Sequence, residues 1–373
     1  MSAGIGHYLT FLGETQVVGA VVFAGNAVAG DIWRPSGGRV ALSDARIVSR
    51  PIRELYPRPA AQSMSEPTYD RQALIFGDRG QASLRRQKVG VIGAGGAGSL
   101  IVEYLSRLGV GYLVVIDPER VETTNLPRIV GSRRLDAMAW LTDPARARFL
   151  QRLGTRFSRH KVDIAARVAK QANLRIRIDA IRGNIVVDET ASLLTDCDYL
   201  FLAADSMQAR LVFNALVHQY LIPGVQVGAK VQVDKRDGHL VDVFSISRPL
   251  IPGSGCLWCN DLINPSLLQE EALSMEERRR QRYVDDPAVV APSVITLNAV
   301  AAAHATDDFL FSVTGLMERQ KECTWLRFLP RKGDVEFHEP RSDSECRECG
   351  STTESRFARG PSRRMPTRIR PRT

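Results

Sequence analysis

The run Val89-Gly90-Val91-Ile92-Gly93-Ala94-Gly95-Gly96-Ala97-Gly98-Ser99 constrains this chain more than any other stretch. A short apolar strand enters a glycine-rich turn, and a helical pattern leaves it. Glycines at such a turn let the backbone come close to a phosphate, and the helix N-terminus offers unpaired N–H donors. The pattern predicts a strand–helix–strand unit with a nucleotide at the turn. Gly93, Gly95 and Gly98 fit the dinucleotide fingerprint, so an NAD(P)-dependent oxidoreductase is one reading. Asp117, at the end of the apolar stretch 112–116, stands where a ribose-binding acid would sit. Taken alone, the glycines are also compatible with a tight turn that holds no ligand.

The chain of 373 residues is 44% hydrophobic and 24% charged, enough for one large core and a small appendage. No apolar run reaches the ~18 residues that span a bilayer. The apolar stretch 17–29 holds several Gly and Ala and lacks a basic flank, so it reads as strands and not as a signal peptide. Four of the six cysteines fall in two Cys-x-x-Cys pairs, which points to a metal in a reducing cytoplasm. The net charge of +9 is uneven. Residues 351–373 hold seven Arg, three Pro and a single Glu, and are expected to form a disordered basic tail. Such a tail solubilises the chain or meets nucleic acid or an acidic protein face. Without it the net charge is +3 (seven positive charges and one negative leave with it), which weakens the case for a nucleic-acid enzyme.

Four parts follow from the patterning. Residues 1–57 alternate apolar and polar over short runs and predict a small β-rich module. A Pro/Ala/Ser-rich linker occupies 58–68. From residue 69 to 350 the pattern is that of a mostly parallel α/β sheet with flanking helices, including strands near 89–92, 112–117, 175–181 and 199–203, and helices at 161–172, 207–220, 266–282 and 292–313. Residues 351–373 are the tail.

The segment after Asp117 separates the nucleotide readings. It runs Pro118-Glu119-Arg120-Val121-Glu122-Thr123-Thr124-Asn125-Leu126-Pro127-Arg128, where a dehydrogenase would pass directly from the acid into a helix. Arg offers bidentate contacts to phosphate oxygens. The string Tyr69-Asp70-Arg71-Gln72, Gly77, Gly80-Gln81, the glycine turn through Ser99, Leu108-Gly109-Val110-Gly111, Asp117, Val121-Glu122 and Asn125-Leu126-x-Arg128, with Lys161 and Asp205 further on, resembles the ThiF/MoeB family of ATP-dependent adenylyltransferases. That family includes activating enzymes of ubiquitin-like and sulfur-carrier proteins. The resemblance covers residues 66–350.

The resemblance implies roles. Gly93, Gly95, Gly96 and Gly98 would cradle the phosphates of ATP, and Asp117 would hold the ribose hydroxyls. Asn125, Arg128 and Lys161 would contact the triphosphate, and Asp205 would coordinate Mg²⁺. Arg71 would reach into a partner subunit's site, which implies a homodimer. The chemistry is consistent: a carboxylate attacking the α-phosphorus brings two anions together, and cations must offset that repulsion. The carboxylate is itself the nucleophile, so no triad is required. Read singly, Asp117 could cap a turn, Lys161 could be a solvated helix residue, Arg71 a surface ion-pair partner and Asp205 the N-cap of the helix from Met207.

Cys256, Cys259, Cys346 and Cys349 have the spacing of a structural Cys₄ zinc site, a feature the family commonly carries at this place. Cys197 and Cys323 each precede an apolar strand and read as small buried residues. Three departures from the family stand out. Residues 260–292 contain no cysteine where many relatives place a reactive one, so no covalent thioester or persulfide step is expected on this chain. Residues 131–160 form an Arg-rich insertion suited to a lid or a partner-docking element. Ser206 stands where the family often has Asn.

The expected activity is therefore ATP- and Mg²⁺-dependent adenylation of the C-terminal carboxylate of a ubiquitin-like, sulfur-carrier or peptide substrate, with release of pyrophosphate, by a cytoplasmic homodimer. A catalytically silent scaffold that keeps the fold and the zinc is the alternative, and an NAD(P) enzyme a weaker one.

Overall fold

A computed structural model of the chain describes residues 17–24, 27–34, 38–57, 66–234, 239–272, 292–318 and 324–368. Its centre is an eight-stranded sheet in the order β13-β12-β11-β10-β9-β6-β7-β8. Strands β6 (Lys88–Ile92), β7 (Tyr112–Ile116), β8 (Arg177–Ile181), β9 (Tyr199–Leu202) and β10 (Gly224–Val233) form a parallel block. The antiparallel strands β11 (Leu240–Leu250), β12 (Trp325–Leu329) and β13 (Asp334–His338) extend it on one side. The mostly parallel sheet with flanking helices agrees with the sequence expectation. β10 runs for ten residues and pairs with a strand on each side.

Near-continuous apolar runs mark strands covered on both faces. Side chains alternate across the sheet, and two cores result. Val89, Val91, Leu113, Val115, Tyr199 and Phe201 face one core. Ile92, Val114, Ile116, Leu200 and Leu202 face the other. On the first face lie helices α1 (Asp70–Arg86, broken at Gly77), α2 (Gly96–Leu108), α4 (Lys161–Ala172) and the Ala-rich α8 (Ile295–Thr314). Phe309 of α8 stacks edge-on to Tyr199 and Phe201, with centroids 5.0 and 5.8 Å away. On the second face lies α6 (Met207–Gln219). The short helices α3 (Arg148–Phe157), α5 (Asp188–Ser192) and α7 (Pro265–Ala272) are the others among the described residues. Among the described residues no helix is long and apolar enough to cross a membrane. The predicted helix at 266–282 is seen as α7; its remainder, like Cys323 and most of the 58–68 linker, lies outside the described residues.

The N-terminal segment is β-rich. Strands β1 (Val18–Ala24), β2 (Ala27–Trp33) and β3 (Arg39–Ala41) form an antiparallel sheet, and β4 (Ala45–Ile47) pairs with β5 (Arg53–Leu55). The β4–β5 hairpin is tied to the main body: Arg46 pairs with Asp198, Arg50 with Asp308, and the Ile52 N–H donates to Ser312 O at 3.1 Å.

The C-terminal segment departs from the expected disordered tail. Residues 351–368 fold back onto the α6 side of the sheet. Met365 is 7% exposed and belongs to that core. The Arg368 N–H donates to Val186 O at 2.7 Å, and the Asp188 N–H to Arg368 O at 3.1 Å. Arg356 is 8% exposed; it donates to Gln219 Oε1 at 2.9 Å and Arg364 O at 2.8 Å and pairs with Glu348 at 3.1 Å. Of the arginines that suggested a solvated tail in the sequence, Arg356, Arg359, Arg363 and Arg368 donate to backbone carbonyls, and Arg356 also meets a carboxylate. Residues 369–373 lie outside the described residues.

Candidate active site

β6 pairs with β7 on one side and β9 on the other, and Ile92, Ile116 and Leu202 stand level at their carboxyl ends. The chain runs from β6 outward through β7 and β8, then returns to β9 on the opposite side of β6. This reversal of direction is where open α/β sheets form a ligand crevice. The glycine turn, Asp117 and the segment leading to Asp205 all leave the sheet at this edge.

The turn is built by close approach. Gly93 has φ +95°, and a Cβ there would press on the backbone of Ala203, just past β9. A Cβ on Gly98 would run into the Gly93 carbonyl oxygen. Gly95, the N-cap of α2, has open space where a side chain would be, and no side chain caps the helix. The α2 N-terminus is therefore free to receive an anion.

Asp117 is 6% exposed, and both its oxygens are engaged. Oδ2 accepts from the Ala94 N–H at 2.7 Å and Oδ1 from the Glu119 N–H at 2.8 Å. The carboxylate thus ties the end of β7 to the glycine turn. Burial pushes its pKa up, opposed by the charge of Lys161 and by the two amides. Lys161, at the first position of α4, is buried along its stem and pairs with the exposed Glu119 carboxylate.

Asn125 ends a 3-10 turn, Thr123–Asn125, and Arg128 follows three residues on. Asn125 is buried, and its Oδ1 accepts from the Glu122 N–H at 3.2 Å. Arg128 donates to Thr124 O at 2.8 Å, and its stem lies against Gly96. Asp205 is exposed. The N-cap of α6 is Ser206, whose hydroxyl accepts from the Ala209 N–H at 3.1 Å, so Asp205 is not spent on capping. Glycine turn, Asp117, Asn125, Arg128, Lys161 and Asp205 thus belong to one edge of the sheet.

Arg71 lies elsewhere in its own chain. It is exposed on α1, and its neighbour Gln72 donates to Leu108 O, the last residue of α2, at 3.0 Å. α2 has 13 residues, so Arg71 sits about 20 Å from the turn at the other end of that helix.

Two residues at this edge were not foreseen. Asn298 of α8 is 6% exposed and packs on Gly96 so closely that any side chain at 96 would strike its amide. A polar residue on the buried side of an Ala-rich helix is the signal that marks it. Glu271 of α7 accepts from the Met207 and Gln208 N–H groups, both at 2.9 Å, and so closes the α6 N-terminus beside Asp205. That pairing joins distant segments and leaves no local trace in the sequence.

The four cysteines of the two pairs form one cluster, with all Sγ atoms within 4.8 Å of one another. Cys256–Cys259, Cys256–Cys346 and Cys259–Cys349 are 3.5, 3.8 and 3.6 Å apart. A tetrahedral zinc with Zn–S bonds of about 2.3 Å needs sulfurs about 3.8 Å apart, so the residues fit the metal. Gly350 turns the second pair tightly; a Cβ there would strike the Ser344 and Cys346 carbonyls. Cys197 is buried, which pushes its thiol pKa up to about 12, so it is inert at neutral pH.

Known proteins share both sequence and fold. The SAMP-activating enzyme E1 of Haloferax volcanii is 48% identical over 193 residues, 51% of this chain and 60% of that one. The sulfur carrier protein ThiS adenylyltransferase of Bacillus subtilis is 28% identical over 198 residues, 51% of this chain and 49% of that one. An adenylyltransferase and sulfurtransferase MOCS3 from Arabidopsis thaliana is 27% identical over 199 residues, covering 52% and 39%. The matches span less than two thirds of these relatives' own length. Escherichia coli MccB shares the fold at TM-score 0.56 and 18% identity, over 77% of this chain and 76% of that one. The model of the ThiF family matches residues 69–348, the stretch that carries the glycine turn, every residue of the sheet edge described above and three of the four clustered cysteines, with Cys349 one residue beyond it, and the chain belongs to that family.

Proposed function

We propose that this chain is an ATP- and Mg²⁺-dependent adenylyltransferase acting on the C-terminal carboxylate of a ubiquitin-like protein, a sulfur carrier or a peptide. The observation that carries the reading is the convergence at one sheet edge of an uncapped helix N-terminus, a buried carboxylate, two cations and an exposed carboxylate. The names of the sequence relatives, a sulfur-carrier adenylyltransferase and a SAMP-activating enzyme, support it.

Each residue has a task in that reaction. The α2 amides and the glycine turn receive phosphate oxygens without a side chain in the way. Asp117 already accepts two amides and has lone pairs left for the ribose hydroxyls. Lys161 exchanges Glu119 for phosphate, and Arg128 adds a second cation; Asn125 braces the turn from which Arg128 projects. Asp205 would hold Mg²⁺, which supplies charge neutralisation on the phosphates. A carboxylate oxygen of the substrate then bonds to the α-phosphorus while the bond from that phosphorus to the bridging oxygen breaks, and its electron pair leaves with pyrophosphate. No proton has to move. Residues 260–292 offer no cysteine to take the acyl group, so the product is the acyl-adenylate itself.

Arg71 completes a site only across a two-fold axis, since ~20 Å separates it from its own turn. Leu74 and Ile75, 87% and 66% exposed beside it, offer the apolar surface for such a homodimer. The Cys₄ cluster would hold a structural zinc.

Pyrophosphate exchange tests the reading. With a substrate protein or peptide, labelled pyrophosphate enters ATP, and Asp205→Asn abolishes the exchange. Exchange with no candidate, together with binding of NAD(P) in place of ATP, would overturn it.

A further inference from the structure

Helix α3 is built the wrong way round for a helix of a folded core. It buries Gly154, where a Cβ would meet Leu141 and Thr142 at 2.8 Å, and leaves three of its four large apolar residues exposed. Phe149, Leu153 and Phe157 recur at every fourth position and form one stripe, 69%, 42% and 58% exposed. Leu135 and Trp140 of the same insertion are exposed as well. Arg148, Arg152 and Arg156 repeat at the same spacing beside the stripe, with no carboxylate partner among the described residues. Residues 131–160 hold seven Arg against two Asp, and Asp136 is already buried in pairs with Arg159 and Arg167. Leu135, Met138, Trp140 and Phe157 form the apolar wall of a cavity of about 380 Å³, whose other wall is Arg133 and the Asp136–Arg159–Arg167 group.

We infer that this face docks an acidic segment of the substrate protein or peptide, with one apolar side chain of that segment seated in the cavity. The inference rests on the adenylation reading above for the identity of the partner. Charge complementarity selects an anionic occupant. A second copy through the same face is disfavoured, because a symmetric contact would set arginine against arginine. The chain's own segments outside the described residues do not supply the acid: residues 273–291 balance four acidic against four basic residues, and Glu14 is the sole uncompensated acid elsewhere among them. A concavity suits a protruding side chain, which a lipid surface does not offer. Position links the face to the reaction. The Val121 N–H donates to Arg159 O at 2.8 Å, and the hydroxyls of Thr123 and Thr142 meet at 3.1 Å, so the insertion is fastened to the segment running from Asp117 to Asn125. A partner held here lies next to the segment that carries the crevice residues Asp117 and Asn125.

The test uses the full chain and two surface variants, F149S/L153S/F157S and R148E/R152E/R156E. A fluorescein-labelled peptide alternating Glu with Leu and Trp is titrated without nucleotide, in parallel with vesicles of phosphatidylglycerol and phosphatidylcholine. The expected result is salt-sensitive peptide binding that each variant weakens by about tenfold or more. No peptide binding, equal binding by all three proteins, or capture of the vesicles in place of the peptide would overturn the inference. With a substrate active in pyrophosphate exchange, both variants raise its KM by a similar factor and leave kcat and the KM for ATP unchanged; an unchanged substrate KM would overturn it equally. Peptide binding lost in the variants, with no exchange for any substrate and NAD(P) bound in place of ATP, would sink the adenylation reading and leave the docking face standing.

Discussion

Two arginine-rich stretches, residues 131–160 and 351–368, look alike as sequence and behave in opposite ways in the fold. In the C-terminal stretch Arg356 is buried against Gln219, Glu348 and the Arg364 carbonyl, and Met365 fills a core gap. In the insertion Arg148, Arg152 and Arg156 face water beside Phe149, Leu153 and Phe157. The difference is not composition. It is whether the rest of the chain supplies partners: α6 and the cysteine cluster do for the first stretch, and no described carboxylate does for α3. One stretch closes the fold, and the other is left for a second molecule.

The comparison can be broken from its stable side first. Arg356 follows Cys349 closely and pairs with Glu348, which lies between the two cysteines of the second pair. Structural zinc sites contribute on the order of 10 kcal/mol of apparent binding energy. Stripping zinc with a chelator is expected to give the largest fall in Tm and to expose residues 351–368 to protease; an unchanged Tm after verified metal loss would contradict this. Next comes Arg356→Ala, which strands a Glu348 side chain only 13% exposed. Removing one partner of a buried pair costs about 3–5 kcal/mol, read as a shift in the denaturant midpoint.

A pH effect of intermediate size belongs to the same corner. His218 on α6 is fully buried, neither ring nitrogen has a hydrogen-bond partner, and burial pushes its pKa down to about 3. A depressed folded-state pKa means the contribution to stability is complete above the unfolded value of about 6.5 and is lost as pH falls from there toward 3. Between pH 7 and pH 5 the fold is expected to lose about 2 kcal/mol, and His218→Leu is expected to flatten that slope. An equal slope in the variant would place the acid sensitivity elsewhere. The smallest effect is on the other side of the comparison. F149S/L153S/F157S is expected to change stability by no more than about 0.5 kcal/mol per substitution in chemical denaturation, because these side chains are largely exposed.

The contrast also marks what a sequence makes legible. Local signals were readable: the apolar runs of β6, β7 and β9, the glycine turn and the spacing of Cys256, Cys259, Cys346 and Cys349 each report their own structure. Asp117, Asn125, Arg128, Lys161 and Asp205 could be singled out because the order of motifs is informative, and the fold gathers them at one sheet edge. What depends on distant partners was not readable. The packing of residues 351–368, the Asn298 amide on Gly96 and the Glu271 carboxylate on the α6 N-terminus all join segments far apart in the chain. The outward stripe of α3 was hidden for a related reason. Periodicity predicts that a helix is amphipathic, and only Gly154 wedged against Leu141 and Thr142 tells which side faces in.

The central claim is that this sheet edge presents the α-phosphate of ATP to a carboxylate. The most direct measurement labels the substrate's C-terminal carboxylate with ¹⁸O, allows turnover with unlabelled ATP, and determines the mass of the nucleotide released after hydrolysis of the product. Attack on the α-phosphorus followed by hydrolysis at the acyl carbon leaves one labelled oxygen in AMP and none in pyrophosphate. Label absent from AMP, or ADP and phosphate as the products, would contradict the account.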